Sequence, residues 1–530
     1  MKKGLYKLAF MLPVAFLASA CTDFLDKEPL GQNTEINFFN DPDNAVLGIN
    51  SIYDAASWDE GPNGAGHTYD WMFGDVLSSN AEKGSAPSDF QDIQDLKDWR
   101  ALATNGPISS LWINQFTVVY RANTALYYLP NANINQTLKN RLMGEAHFMR
   151  AYGYYHLARL FGGLPLFKEP VKPSEFGNTP RATFAQTFKF IEEDLAEAAR
   201  LLPEKSQYGA ADLGRATKGA AKALHARLIA YQLGTDNSNN HTWQKVYDLT
   251  SEIVNSGQYS LMPNFAQLFE DEGENGPESI LEIQFGASTE GWGPIKIGTT
   301  NNIIQNCRCS WGWGFNNPTA ELVNAFEAKD PRRALTAYKD GDIVLGTKVK
   351  VDYPKENSTG YLSRKAAVVK PAEGKASPQN IRKIRFAEVL LLHAEAAYYL
   401  NRFDETRNIL NQIRARAKQA TLPKGSKEGS LTYDPISPSE LNGVLNPLAA
   451  SVSGPALLDA LRKERRLELA MEALYFWDEV RWGTYLAKLP SDVRGRADAR
   501  SIKGGVNPIP VLPIPLTEVE SWKLQQNPGY

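Results

Sequence analysis

Five helical pairs, spaced by inserts far too long to be turns, constrain this chain more than any other feature of its sequence. The clearest helix spans Arg141 to Phe161. Leu142, Ala146, Met149, Gly153 and Leu160 fall on one stripe there, at steps of three, four and seven residues. Gly162-Gly163 ends it, and the small residues on the stripe let a second helix approach closely. Phe184, Phe188, Leu195 and Leu202 supply that second helix, which Pro203 stops. A helix also begins near Asp41-Pro42, where Asp caps and Pro fits the first turn. Further pairs are Thr217 to Tyr231 with Trp243 to Asn255, and Arg385 to Leu400 with Asp404 to Lys418. A last hairpin-like region runs from Leu457 to Trp482.

In the Arg385 to Lys418 pair, Ala394, Ala397, Phe403, Leu410 and Ile413 have the spacing of a degenerate tetratricopeptide unit, small residues facing larger ones. Pairs of this kind bury their apolar faces on their neighbours. The expectation is a mainly α, tetratricopeptide-like helix-pair solenoid with long irregular inserts and minor β structure. It forms one domain over 21–530, with pairs at about 41–131, 141–203, 217–256, 385–418 and 455–490.

The inserts at about 57–106 and 285–317 are rich in Gly, Asn, Ser and Trp, and Lys339 to Asn380 is polar, with a β-like patch at Val349 to Tyr353. Inserts of this length are usually functional, so function is expected there, held by the helices. Lys+Arg number 57 against 60 Asp+Glu, a formal charge of -3 over 530 residues. That balance argues against nucleic acid as a partner.

Residues 1–20 read as a signal peptide. Lys2 and Lys3 form a basic start, and Leu8 to Ala20 is an apolar stretch of 13 residues, short of the roughly 20 that span a bilayer. Small residues then lead into Cys21, as in bacterial lipoprotein signals, although Ala18 stands where leucine is usual. Cys21 is read as the acylated first residue of a lipid-anchored protein; the alternative is ordinary cleavage with a free thiol.

Several motifs occur in order along nearly the whole chain: Phe24-Leu-Asp-Lys-Glu-Pro29, Trp112 with Tyr120-Arg-Ala-Asn123, and Gly144 to Tyr155 leading to Phe161-Gly-Gly-Leu-Pro165. Then come Pro318-Thr with Leu322 and Phe326, Asp330 to Arg333, and Arg385 to Glu395. Glu464-Arg-Arg-Leu-Glu-Leu469, Trp477-Asp478, Arg481-Trp-Gly483 and a closing Gln526-Asn-Pro-Gly-Tyr530 complete the set. In this set the chain resembles the SusD/RagB family of Bacteroidetes nutrient-binding outer-membrane lipoproteins. One departure is Glu472-Ala473, where the family usually has Glu-Gly, a change expected to alter a helix contact. The resemblance implies a surface-exposed binder of oligo- or polysaccharide rather than an enzyme. It further implies a SusC-like TonB-dependent transporter as partner, and a site of aromatics on loops outside the helices.

Sugar rings present flat C–H faces rimmed by hydroxyls, so a binder needs exposed aromatic platforms plus amides, carboxylates or Arg. Trp99 and Trp292 are the leading platforms, with Trp71 and Trp311 as additions, and Asn80, Asp98 and Arg100 as polar partners. Trp58, Trp313, Asp70, Asn301 and Asn302 lie on the same inserts. For any one loop tryptophan the alternative is a plug that seals the loop onto the helices. Trp112, Trp243, Trp477 and Trp482 follow helical patterns and are read as core. The inserts are aromatic and mixed in charge rather than basic, which points to a neutral glycan.

His147, His156, His225 and His393 lie within helices without metal-ligand spacing and read as structural. No cofactor is expected. Asp271 to Asn275 could touch a structural Ca²⁺ but lacks the full ligand loop, and reads as a solvated acidic turn. Cys307 and Cys309 form a Cys-x-Cys pair whose state the sequence leaves open. Two rival classes remain: a glycoside hydrolase using loop carboxylates such as Asp59, Asp70 or Asp75, and a solenoid scaffold for protein contacts.

Overall fold

The computed structural model describes residues 35–61, 66–287, 297–309, 312–344, 347–353, 355–367, 376–420, 422–427, 430–434 and 442–530. Ten helices carry the scaffold: α1 (Pro42–Ser57), α2 (Gly106–Tyr128), α3 (Gln136–Phe161), α4 (Phe184–Leu201), α5 (Lys218–Gly234), α6 (Trp243–Val254), α7 (Phe386–Tyr399), α8 (Phe403–Lys418), α9 (Gly454–Glu468) and α10 (Tyr475–Arg481). Asp41 caps α1 by accepting the Asn44 N–H at 2.9 Å. Thr183 and Gln186 close a capping box on α4. Gly162, at φ +76°, ends α3. Among the described residues no helix is long and apolar enough to cross a membrane.

Each helix packs on the next from α1 and α2 through α6. Helix α6 then lies directly against α7, although residues 255–385 intervene in sequence, and α7 packs on α8 and α9. Helix α10 returns to α5. The small residues of α3 permit this close packing. A Cβ on Gly153 would sit 3.1 Å from the Gln115 carbonyl oxygen of α2, and one on Gly144 would sit 3.0 Å from Leu201 and Leu202 at the end of α4.

Short antiparallel strand pairs tie the inserts down. The strands are β1 (Ala81–Gly84), β2 (Ser279–Ile283), β3 (Phe315–Pro318), β4 (Ala337–Lys339), β5 (Tyr361–Ser363) and β6 (Ile381–Arg385). Strand β1 pairs with β3, β2 with β6, and β4 with β5. The inserts are thus more regular than their composition suggests. The first holds a π-helical turn at Met72–Val76, β1 and a helix at Gln91–Lys97; the second holds a helical turn at Asn301–Gln305 and β3. The Val349 to Tyr353 patch is not a strand. Val349 instead plugs a small apolar cluster with Cys307, Tyr338, Leu362 and Ala367.

The recurrent motifs are largely buried ion networks. Arg332, fully buried, reaches Asp330 at 2.8 Å, Glu464 at 2.6 Å and Glu468 at 3.1 Å. Arg385 meets Glu278, Glu468 and Glu472 at 2.7 to 2.8 Å. Arg150 of α3 binds Asp194 of α4 and the Asn123 side chain of α2. Asn527 in the closing motif donates to the Phe161 and Leu512 carbonyls, clamping the tail on the end of α3. The arginines tie separate segments together through paired charges, since an unpaired charge inside is costly, and Asn527 does so through neutral amide hydrogen bonds.

Ala473 has φ +57°. The departure at this position is therefore a backbone matter before it is a helix contact: a left-handed residue favours glycine.

Candidate functional site

The two inserts meet where β1 pairs with β3: Ala81 lies opposite Pro318 and Gly84 opposite Phe315. Past the end of β1 the chain makes a turn at 85–89. Buried Lys83 stitches it, donating from Nζ to the Ala86 and Asp89 carbonyls at 2.9 and 2.8 Å. Burial lowers the Lys83 pKa. The turn delivers Phe90 at φ +44° with 37% of its surface exposed. A bulky residue in that region stores strain of order 1–3 kcal/mol, and such positions cluster at binding sites.

Around Phe90 the groups suit a sugar. The His67 ring lies 5.9 Å away, and the Phe315 ring supports Phe90 from below, edge to face at 5.7 Å. Arg308 from the second insert pairs with Asp89 and also donates to the Ser85 hydroxyl at 2.7 Å. That hydroxyl donates to Asp89 at 2.7 Å, and with the Arg308 charge it holds the Asp89 carboxyl below its ordinary range. Cys307 and Cys309 are joined in a disulfide that brackets Arg308, and Trp313 is half-buried, its carbonyl accepting from Arg308 Nε at 3.1 Å. The 355–360 loop borders this face, because Ser358 N–H donates to Asn317 of β3, and nearby in sequence Tyr353 is 60% exposed.

The tryptophans singled out by sequence fall elsewhere. Trp99 is 1% exposed, its Nε1 donating to the Tyr485 hydroxyl at 2.7 Å. It is a plug, because Tyr485 packs on its ring and Arg496 and Arg500 bond the Asp98 and Trp99 carbonyls. Asp98 accepts on its carbonyl from Arg496 and pairs with Arg100 at 2.7 Å. Trp71 is 3% exposed, stacked on Tyr69 at 5.7 Å and facing Phe315 at 6.5 Å. It stands behind the face as support and offers no platform on the β1–β3 face. Asn80 is wholly buried under Arg466, and Asn301 and Asn302 are buried as well. Burial corrects Trp99, Trp71, Asn80, Asn301 and Asn302 as direct ligand contacts, whereas Asp98 is half-buried and Arg100 exposed. Trp292, Trp311 and Cys21 lie outside the described residues. Trp58 is half-buried under the Arg121 guanidinium. Trp112 and Trp477 are buried; Trp243 and Trp482 are only half so, Trp243 stacked on Tyr399 at 4.4 Å.

Phe90 escaped the sequence reading because only tryptophans were weighed as platforms. Its signal was local: a lone aromatic directly after Pro87-Ser-Asp89, turn residues with nothing apolar to pair with nearby.

The carboxylates of the hydrolase alternative are structural. Asp59 accepts from Asn114 at 2.7 Å and Gln115 at 2.5 Å, and burial raises its pKa to about 8. Asp70 is gripped by Lys383 at 2.5 Å. Asp75, raised to about 7 by burial, accepts from Asn316 and the Ala473 N–H. The four helical histidines each face a carboxylate, His147 on Asp194 at 2.7 Å for instance. In the acidic turn Glu274 accepts the Asn380 N–H. Among the described residues no three His, Cys, Asp or Glu side chains are grouped to hold a metal ion.

The chain is 25% identical to SusD-like protein P2 of Formosa agariphila, over the full length of both. Among solved structures, a laminarin-binding SusD-like protein is similar at a TM-score of 0.70 and 27% identity, covering 92% of this chain and 99% of its own. Surface glycan-binding protein A of Bacteroides thetaiotaomicron, in complex with laminarihexaose, is similar at a TM-score of 0.71 and 22% identity over 92% and 99%. The family model described as "Starch-binding associating with outer membrane" matches residues 23–229, and the "SusD family" model matches 277–530. Between them these models cover both inserts and every scaffold helix except α6 and the end of α5, and the chain belongs to the SusD/RagB family.

Proposed function

We propose that this protein is a glycan-binding lipoprotein of the outer membrane, and that oligosaccharide lies on the β1–β3 face across Phe90. The observation that carries the reading is Phe90 itself, a large ring held exposed in a strained backbone, with Arg308, Asp89 and His67 around it. The ring offers a platform to a C–H face, while guanidinium, carboxylate and imidazole reach the hydroxyl rim. Charges on the face are paired, which suits a neutral glycan over a sulfated one. The similar proteins named for laminarin and laminarihexaose make a neutral β-glucan the first probe.

The protein binds and does not hydrolyse. Cys21 carries the lipid, and bound glycan passes to a SusC-like TonB-dependent transporter. Family membership supports both steps, as does the family description of association with the outer membrane. Gel retardation over a panel of laminarin, starch, xylan and a sulfated polysaccharide tests the reading. Retardation by a neutral glycan without product release is expected; release of products, or retention by none, would refute it.

A further inference from the structure

Beside the joined inserts lies a half-open cleft with a cavity volume of about 110 Å³. Helix α3, Glu60, the Asp70 to Asp75 stretch, the Asn301–Gln305 turn and the Met471 to Trp477 link all contribute to it. Most charged groups of the wall are paired. Lys383 Nζ lies 2.5 Å from both Glu60 and Asp70, Lys365 lies 2.6 Å from Glu472, and Arg227 is held by Glu388.

Arg159 is the exception. It is 5% exposed and makes a single long bond, from Nε to the Tyr155 carbonyl at 3.4 Å. Its guanidinium lies over the rings of Tyr155 at 4.0 Å and Trp477 at 4.2 Å, and no carboxylate pairs with it among the described residues. Buried Arg150, Arg332, Arg385, Arg416, Arg465 and Arg481 each have a carboxylate. Two rings offset only part of the cost of burying a cation. The same wall carries further unsatisfied polarity: Trp71 Nε1, Glu60 Oε2 and Asn302 Oδ1 have no hydrogen-bond partner. Burial also pushes the Glu60 carboxyl up to about 7, so the wall is less negative at neutral pH than its composition implies.

We propose that this cleft is a second binding site, separate from the Phe90 face, for a small hydroxylated carboxylate of sugar-acid size. The carboxylate forms the missing fork on Arg159, which presents two parallel N–H donors to it. Hydroxyls supply donors for Glu60 and Asn302 and an acceptor for the Trp71 indole. Water would satisfy these three but brings no charge to Arg159. An inorganic anion would satisfy Arg159 and leave the rest.

Titration calorimetry of the purified protein at pH 7 and constant ionic strength, with sodium glucuronate, glucose and sodium chloride, tests this. Saturable glucuronate binding is expected, with glucose and chloride at least tenfold weaker. Arg159→Met should weaken glucuronate at least tenfold. Arg159→Lys, which keeps the charge and loses the fork, should weaken it several-fold and serves if the methionine variant fails to fold. Trp71→Phe should weaken it about threefold, and Phe90→Gly should leave it unchanged. No saturable binding of glucuronate, equal binding of glucose, equal binding of chloride, or unchanged affinity in a folded Arg159 variant would each overturn the proposal. Loss of binding in Phe90→Gly would overturn the separateness of the two sites.

Discussion

Phe90 and Phe315 meet edge to face with centroids 5.7 Å apart, one ring 37% exposed and the other 2%. Phe315 belongs to β3 and lies opposite Gly84, so the strand pairing that joins the inserts also sets the height of the Phe90 ring. The platform is thereby built from both inserts, although its exposed ring comes from one.

Phe90→Gly removes the ring and fits the φ of +44° without strain. Glycan affinity should fall about tenfold, since an aromatic stacking contact contributes roughly 0.5–1.5 kcal/mol beyond the area buried. The melting temperature should hold or rise slightly, because released strain offsets lost packing. Affinity equal to wild type would move the glycan elsewhere.

Trp99→Ala should do the reverse. Removing a 1% exposed indole and leaving the Tyr485 hydroxyl without its donor should cost about 3–5 kcal/mol of stability. Glycan affinity of the folded protein should not change. Chemical denaturation together with calorimetry separates the two effects.

Ala473→Gly should stabilise the protein by about 0.5–1 kcal/mol. The left-handed conformation costs a Cβ residue about 1–2 kcal/mol, against which glycine loses more entropy on folding. A lower denaturation midpoint would show that the Ala473 methyl packs better than its φ suggests.

Asp59 makes stability depend on pH in a definite direction. Burial raises its folded pKa to about 8, well above the roughly 3.9 of an unfolded Asp, so between those values the folded state binds more protons than the unfolded. Its contribution to stability is therefore largest below about pH 4 and is lost as pH rises toward 8. Asp59→Asn should flatten that decline and raise stability at pH 8 relative to wild type by on the order of 2 kcal/mol. The unpartnered Gln115 Oε1 is available to accept from the new amide after a flip. Parallel melts at pH 5 and pH 8 measure it; an equal wild-type-to-variant difference at both values would contradict the assignment.

Cys21→Ala, expressed without the transporter, should leave the protein in the soluble fraction. Acyl chains anchor at about 0.8 kcal/mol per buried CH₂, and the chain's formal charge of -3 offers an anionic membrane no attraction. Persistent membrane fractionation of the variant would count against lipid anchoring.

Helix spacing, caps and breakers were legible in the residues themselves, because they act within a turn or two of the chain. Asp41 before Pro42 starts α1, and Gly162 ends α3. The ordered motifs were legible too, although their reason was not: Arg332, Arg385 and Glu468 become one network only when segments far apart in sequence fold together. The site divides along the same line. That the proposed site draws on two inserts outside the helices is in keeping with their composition and length, whereas its proposed platform was not among the residues the sequence singled out. Phe90 and Trp99 lie nine positions apart in one insert, both with positive φ. Trp99 is covered because Tyr485, almost four hundred residues later, packs against it, whereas Phe315 supports Phe90 edge-on and leaves 37% of it exposed. A ring's exposure depends on what the rest of the chain lays over it, and that is a property of the tertiary structure alone.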